Sequence, residues 1–131
     1  MTVPQPNRSP PNKLLNVQKR AYELYRYTML AACSEKMIPK RQRWCNGVPL
    51  VQDARSICQC INRANRIRAD GPCAAKRREM QEMAAGWADN LLTEIHLAYY
   101  SHHFRPRRLQ LWIERVEEVL RLLDAWMKSK I

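Results

Sequence analysis

The chain has 131 residues, enough for one domain with a real hydrophobic core and short for two. Lysine and arginine total 23 against 12 acidic residues, a formal charge of +11, which suits a polyanionic partner because each neutralised phosphate releases condensed counterions. Nothing in the sequence is long and apolar enough to cross a bilayer, and Met1-Thr2-Val3-Pro4-Gln5-Pro6 lacks the charged head and apolar run of a signal peptide. The reading is a cytoplasmic protein with no membrane partner, an anionic membrane surface being the rival to nucleic acid.

Eight prolines and three glycines punctuate the chain, since proline in a helix interior loses a hydrogen bond and clashes with the preceding turn. Pro4, Pro6, Pro10 and Pro11 mark residues 1–11 as a flexible tail. Pro39, Gly47 with Pro49, Gly71 with Pro72, and Pro106 then divide residues 12–131 into proline-free segments that predict helices over about 12–36, 49–69, 72–102 and 106–130. In the first, Leu14, Leu15, Ala21, Tyr22, Tyr25, Met29, Ala32 and Cys33 recur at steps of three and four and predict its buried face. The second repeats the pattern with Leu50, Val51, Ala54, Ile57, Cys58, Ile61 and Ala64, with Pro49 in its first turn and Asp70-Gly71 as its stop. The third carries Met80, Met83, Ala84, Trp87, Ala88, Leu91, Ile95 and Ala98, and Gly86 beside Trp87 predicts close approach of another helix. The fourth has the cleanest stripe, Leu109, Trp112, Ile113, Val116, Val119, Leu120, Leu123, Trp126 and Met127, with Arg115, Glu118 and Arg121 outside it.

No segment alternates with period two, so the fold class is all-α. Short connections force consecutive helices antiparallel, which predicts an up-down-up-down four-helix bundle. Leu24, Tyr27, Leu97, Tyr99, Leu111 and Leu122 fall off the main stripes and point to a second buried surface, hence a homo-oligomer, although scattered exposed apolar residues are ordinary.

The same topology predicts where charge gathers. Lys36, Lys40, Arg41 and Arg43 meet His102, His103, Arg105, Arg107 and Arg108 at one end. Arg66, Arg68, Lys76, Arg77 and Arg78 share the other end with Lys128 and Lys130. Arg55, Gln59, Asn62, Arg63 and Arg66 make a polar stripe on the second helix that joins the two. Most acids, Glu79, Glu82, Asp89, Glu94, Glu114, Glu117, Glu118 and Asp124, lie on helices three and four and leave that stripe undiluted. Arginine outnumbers lysine in these clusters, and its planar fork suits bidentate phosphate contact. Lys40, Arg41, Arg43, Arg55, Arg63, Arg66, Arg68, Lys76, Arg77, Arg78, Arg105, Arg107 and Arg108 are therefore the candidate RNA-binding residues. Trp44, inside Arg41-Gln42-Arg43-Trp44, either stacks an unpaired base or caps the core.

Catalytic signals are poor. The chain has no glycine-rich phosphate loop and no nucleophile elbow, and Glu94-Ile95-His96 has the wrong spacing for a di-iron pair on one helical face. Cys33, Cys45, Cys58, Cys60 and Cys73 are odd in number and include no C-x-x-C. Cys33 and Cys58 read as small hydrophobes on apolar faces in a reducing compartment. No enzyme activity, metal or cofactor is expected; a bundle enzyme or metal carrier is the least favoured alternative.

From about Gln18 to Lys128 the chain resembles the four-helix-bundle family that contains the accessory variability determinant of diversity-generating retroelements and the proteins encoded by ribosomal RNA intervening sequences. The resemblance rests on Tyr22-Glu23-Leu24-Tyr25-Arg26-Tyr27, the basic connection Ile38-Pro39-Lys40-Arg41, the polar end of helix two, the long third helix, and Leu122-Leu123-Asp124-Ala125-Trp126. The intervening-sequence branch ends helix two in an Asn-Ile-Ala-Glu-Gly-like run, whereas this chain has Asn62-Arg63-Ala64-Asn65-Arg66, which favours the retroelement branch. That resemblance implies a homopentameric barrel, without polymerase activity, that binds the retroelement's template RNA and reverse transcriptase and supports mutagenic cDNA synthesis. An intervening-sequence-type bundle and a general RNA-binding scaffold are the alternatives.

Overall fold

The computed structural model describes residues 14–129. The tail expected over 1–11 and the last residue of the helix expected over 106–130 lie outside the described residues. Four α-helices carry the fold: α1 Asn16–Ala32, α2 Val48–Arg66, α3 Ala74–His102 and α4 Pro106–Ser129. The described residues contain no strand.

The first helix buries a different face from the one its tyrosines predict. Val17, Ala21, Leu24, Thr28 and Ala31, at steps of four and three, point into the core, while Tyr22, Met29 and Cys33 are exposed. Leu24, expected off the stripe, is buried at its centre. A tyrosine hydroxyl needs a polar partner, and here the rings lie along the flank of α1 and reach α2. Asn62 Nδ2 donates to Tyr22 Oη at 3.0 Å and Arg55 Nη2 donates to Tyr25 Oη at 3.0 Å. At the start of α1, Gln18 Oε1 accepts the Leu15 N–H at 2.9 Å and satisfies one orphan donor of the first turn.

The helix also stops earlier than the expected Lys36. Met37 and Ile38 donate their N–H groups to Ser34 O at 3.0 and 2.9 Å, and both side chains fold back into the core almost fully buried. Each such burial contributes about 1.5–3 kcal/mol, more than another exposed turn of helix offers. From there the chain does not form a loop. A 3₁₀ turn, Lys40–Gln42, and a π turn, Arg43–Gly47, run directly into α2, whose first turn holds Pro49 as expected. At its other end α2 stops at Arg66, short of the expected 69, because Ile67 turns extended and its carbonyl accepts Arg77 Nη1 at 2.9 Å. Gly71, at φ 65°, opens the 3₁₀ turn that leads into α3.

Helix α1 packs on α2 and α4, and α3 packs on the same two helices, while among the described residues the diagonal pairs α1/α3 and α2/α4 keep their backbones further apart. Gln18 bonds Asn62, Thr28 meets Trp112, and Arg78 reaches Met127, so each neighbouring pair runs antiparallel. The result is the up-down-up-down bundle. Ala84, Ala88 and Ala98 face inward on α3 with Leu91 and Ile95 between them, and their small size brings α2 close. At the centre Trp112 is fully buried; its Nε1 donates to Thr28 Oγ1 at 3.1 Å and its ring stands edge-on to Tyr27 at 5.9 Å. Gly86, expected at a helix contact, lies instead on the exposed side of α3, where an added Cβ meets nothing within 4 Å. Met83, placed in the core stripe by periodicity, is exposed as well.

Candidate nucleic-acid interface

The antiparallel arrangement brings the α1–α2 and α3–α4 connections to one end. His102 Nε2 lies 2.7 Å from Asn46 Oδ1, and Arg108 Nη1 lies 3.9 Å from Met37 Sδ. Lys36, His103, Phe104, Arg105 and Arg108 line one open cleft there, and Glu35, Arg41 and His102 share a second. His103 adopts the left-handed conformation at φ 52° to end α3, its N–H bonded to Tyr99 O at 2.7 Å. The opposite end gathers Arg77, Arg78 and Lys128 around another cleft. Basic residues thus collect at both ends, as the topology predicts.

Their states differ, and this separates cations available to a polyanion from cations already employed. Arg77 is buried: its guanidinium stacks 5.0 Å above the Trp126 ring and bonds Ile67 O. It holds the end of α2 to α3 and α4, and is no surface contact. Arg43 donates to Cys33 O at 2.8 Å and pairs with Glu35 at 3.4 Å. Arg55 is exposed yet tied to Tyr25, with its guanidinium 5.6 Å from the ring centroid. Arg68 pairs with Asp70 at 3.1 Å, and Arg78 with Glu82 at 3.5 Å. By contrast the side chains of Lys40, Arg41, Arg63, Arg66, Lys76, Arg105 and Arg107 are exposed and make no hydrogen bond or ion pair among the described residues.

The polar stripe expected along α2 is interrupted by these assignments. Asn62 turns toward α1, where it bonds Gln18 and Tyr22, leaving Arg63 and Arg66 as the outward cations of the last turn. The only acid in α2, Asp53, is buried and faces Glu94 on α3. Loss of hydration, with the Glu94 charge adding to it, pushes the Asp53 carboxyl up to about 6. No exposed acid therefore opposes Arg63 and Arg66 on their own helix.

Trp44 is 84% exposed on the π turn, which removes the reading in which it caps the core. It stands beside Lys40, Arg41 and Arg43. No sequence pattern signals this display, because a single five-residue π turn has no repeat to read.

Of the cysteines, Cys33, Cys45 and Cys73 are exposed, so Cys33 does not pack as the small hydrophobe its stripe predicts. Burial pushes the Cys58 thiol up to about 11 while it donates to Ala21 O at 3.4 Å, and a thiol so held is inert at neutral pH.

No protein-family profile matches the chain, and no curated protein matches it. Among solved structures it is similar to a crystal structure, at 1.70 Å resolution, of a protein of unknown function from the S23 ribosomal protein family from Bacteroides thetaiotaomicron VPI-5482. The two share 12% sequence identity over 86% of this chain and 99% of that chain, with a TM-score of 0.72. At this identity the likeness defines the fold: an all-helical bundle of the kind seen in that protein.

Proposed function

We propose that the chain is a non-catalytic accessory protein of a diversity-generating retroelement, which assembles with itself and holds template RNA and the reverse transcriptase on basic surfaces during mutagenic cDNA synthesis. One observation carries this reading: seven of the thirteen candidate cations, Lys40, Arg41, Arg63, Arg66, Lys76, Arg105 and Arg107, have exposed side chains without a partner among the described residues and are spread over both ends of the bundle and the last turn of α2. Arg43 and Arg77 are held by backbone carbonyls of the fold, whereas an unpaired surface cation keeps its charge available to an external anion. Phosphate contact at Arg63 and Arg66, at one end of α2, is complemented at its other end by stacking of an unpaired base on Trp44 beside Lys40 and Arg41.

Purified full-length chain added to the neighbouring reverse transcriptase and its template RNA is expected to raise cDNA yield. Absence of stimulation, together with a gene neighbourhood lacking a reverse transcriptase and a repeat pair, contradicts the reading. The similar protein's S23 ribosomal family name favours one alternative, a bundle associated with ribosomal RNA. A gene embedded in ribosomal RNA identifies that case.

A further inference from the structure

The exposed arc of α3 is unlike the rest of this +11 chain. Between Arg78 and Arg105 the sequence has no lysine or arginine, and it carries three exposed acids, Glu79, Glu82 and Asp89, besides Glu94, which faces Asp53. Large apolar side chains stand in water along the same arc: Tyr100 is 80% exposed, Leu97 51% and Met83 45%. Gly86 lies among them. Glycine in a helix interior costs about 1 kcal/mol relative to alanine, and among the described residues nothing approaches Gly86 that would require it.

A second surface has the opposite character. Between α1 and the start of α2 runs an open groove of about 430 Å³, with Met29, Val48 and Val51 on its floor and Arg43 and Arg55 on its rim. Glu35 pairs with Arg43, and α2 adds no exposed acid. Both rim arginines are fixed in place, Arg43 by Cys33 O and Arg55 by Tyr25. Because α3 sits diagonally from α1, the two surfaces lie on different sides of the square and every chain presents both.

We infer that the outer face of α3 docks head to tail into the α1–α2 groove of a second copy of this chain. The acidic and apolar arc meets an apolar groove whose uncompensated charge is the Arg55 guanidinium, Arg43 being paired with Glu35, a match that lets strongly cationic chains associate without like-charge repulsion. Gly86 supplies the clearance that a bare helix backbone needs at close approach. A contact between two different faces is heterologous, so it propagates from copy to copy and closes into a ring where the rotation allows. The inference rests on the self-assembly proposed above and names its two faces. It also removes Arg43 and Arg55 from the RNA surface and assigns them to assembly.

The test is mixing. One variant carries Gly86→Leu and Leu97→Arg on the α3 face; the other carries Met29→Glu and Arg55→Glu at the groove. Each is measured by light scattering, with far-UV circular dichroism to show that helicity is kept. Wild type is expected at a multiple of the 15.5 kDa of one chain, and each variant alone at that single mass. Mixed in equal amounts, the two retain one intact pair of faces and form a particle of twice the single mass and no larger. Gly86→Leu alone, a better helix former at an open position, also lowers the mass without lowering helicity. Variants that still assemble, or mixtures that stay single, overturn the inference while leaving self-assembly in place. A single-chain wild type at micromolar concentration overturns both.

Discussion

Arg77 and Arg63 share a chemistry and differ in what surrounds them, and the difference sets what each substitution does. Arg77→Ala removes a guanidinium that bonds Ile67 O and covers Trp126; it is expected to cost about 1–3 kcal/mol in chemical denaturation, with RNA affinity per folded molecule unchanged. Thr28→Val strands the buried Trp112 Nε1 and is expected to cost a similar ~1–3 kcal/mol in the same measurement. Asp53 works in the other direction. Its folded-state carboxyl titrates near 6, above the ordinary value of 3.8, so the folded chain takes up the proton first as pH falls. Stability therefore rises as pH drops from about 7 toward 4, and the gain is complete below the unfolded value. Asp53→Asn is expected to raise the neutral-pH melting temperature by a few degrees, equivalent to about 1 kcal/mol, and to flatten this pH dependence. A melting temperature that falls on acidification over that window contradicts the assignment.

Among the elements, legibility followed contrast between faces. Helix α4 was readable because its apolar stripe, with Trp112, Val116, Val119, Leu123 and Trp126 innermost, is set against charged neighbours. Helix α1 hides its buried face because amphipathic tyrosines mark both faces: Tyr22 and Tyr25 supply apolar rings at helical spacing, yet their hydroxyls draw them to the flank where Asn62 and Arg55 wait. Met83 and Gly86 were placed inward by periodicity alone, which cannot distinguish a core stripe from an exposed apolar arc on a helix that is apolar over much of its circumference. The meeting of the two basic ends followed from loop length and proline positions. Which of those cations are spoken for did not, since ion pairs such as Arg43 with Glu35 depend on side-chain reach. The π turn gives a prediction of its own. Trp44→Ala is expected to change stability by less than about 0.5 kcal/mol, because the ring has almost no protein neighbours to lose, while weakening single-stranded RNA binding by about fivefold or more, as loss of one stacked base does. Equal RNA affinity for the variant and wild type contradicts stacking.

For the whole molecule, the square bundle turns a sequence-level charge of +11 into a distribution: most acids on α3 and α4, cations gathered at both ends and on the last turn of α2. In the proposed reading, that separation keeps the RNA surface and the assembly surface from competing. Electrostatic binding of this kind falls steeply with salt, by about a hundredfold or more between ~50 and ~200 mM when several phosphates are engaged. The most direct measurement is fluorescence anisotropy of a labelled single-stranded RNA titrated with full-length chain across that salt range, for wild type and for Arg63→Glu with Arg66→Glu. The account predicts tight, salt-sensitive binding by wild type, and at least tenfold weaker binding with a shallower salt slope for the double variant at unchanged helicity. RNA indifference of wild type at low salt, or identical curves for the two proteins, contradicts it.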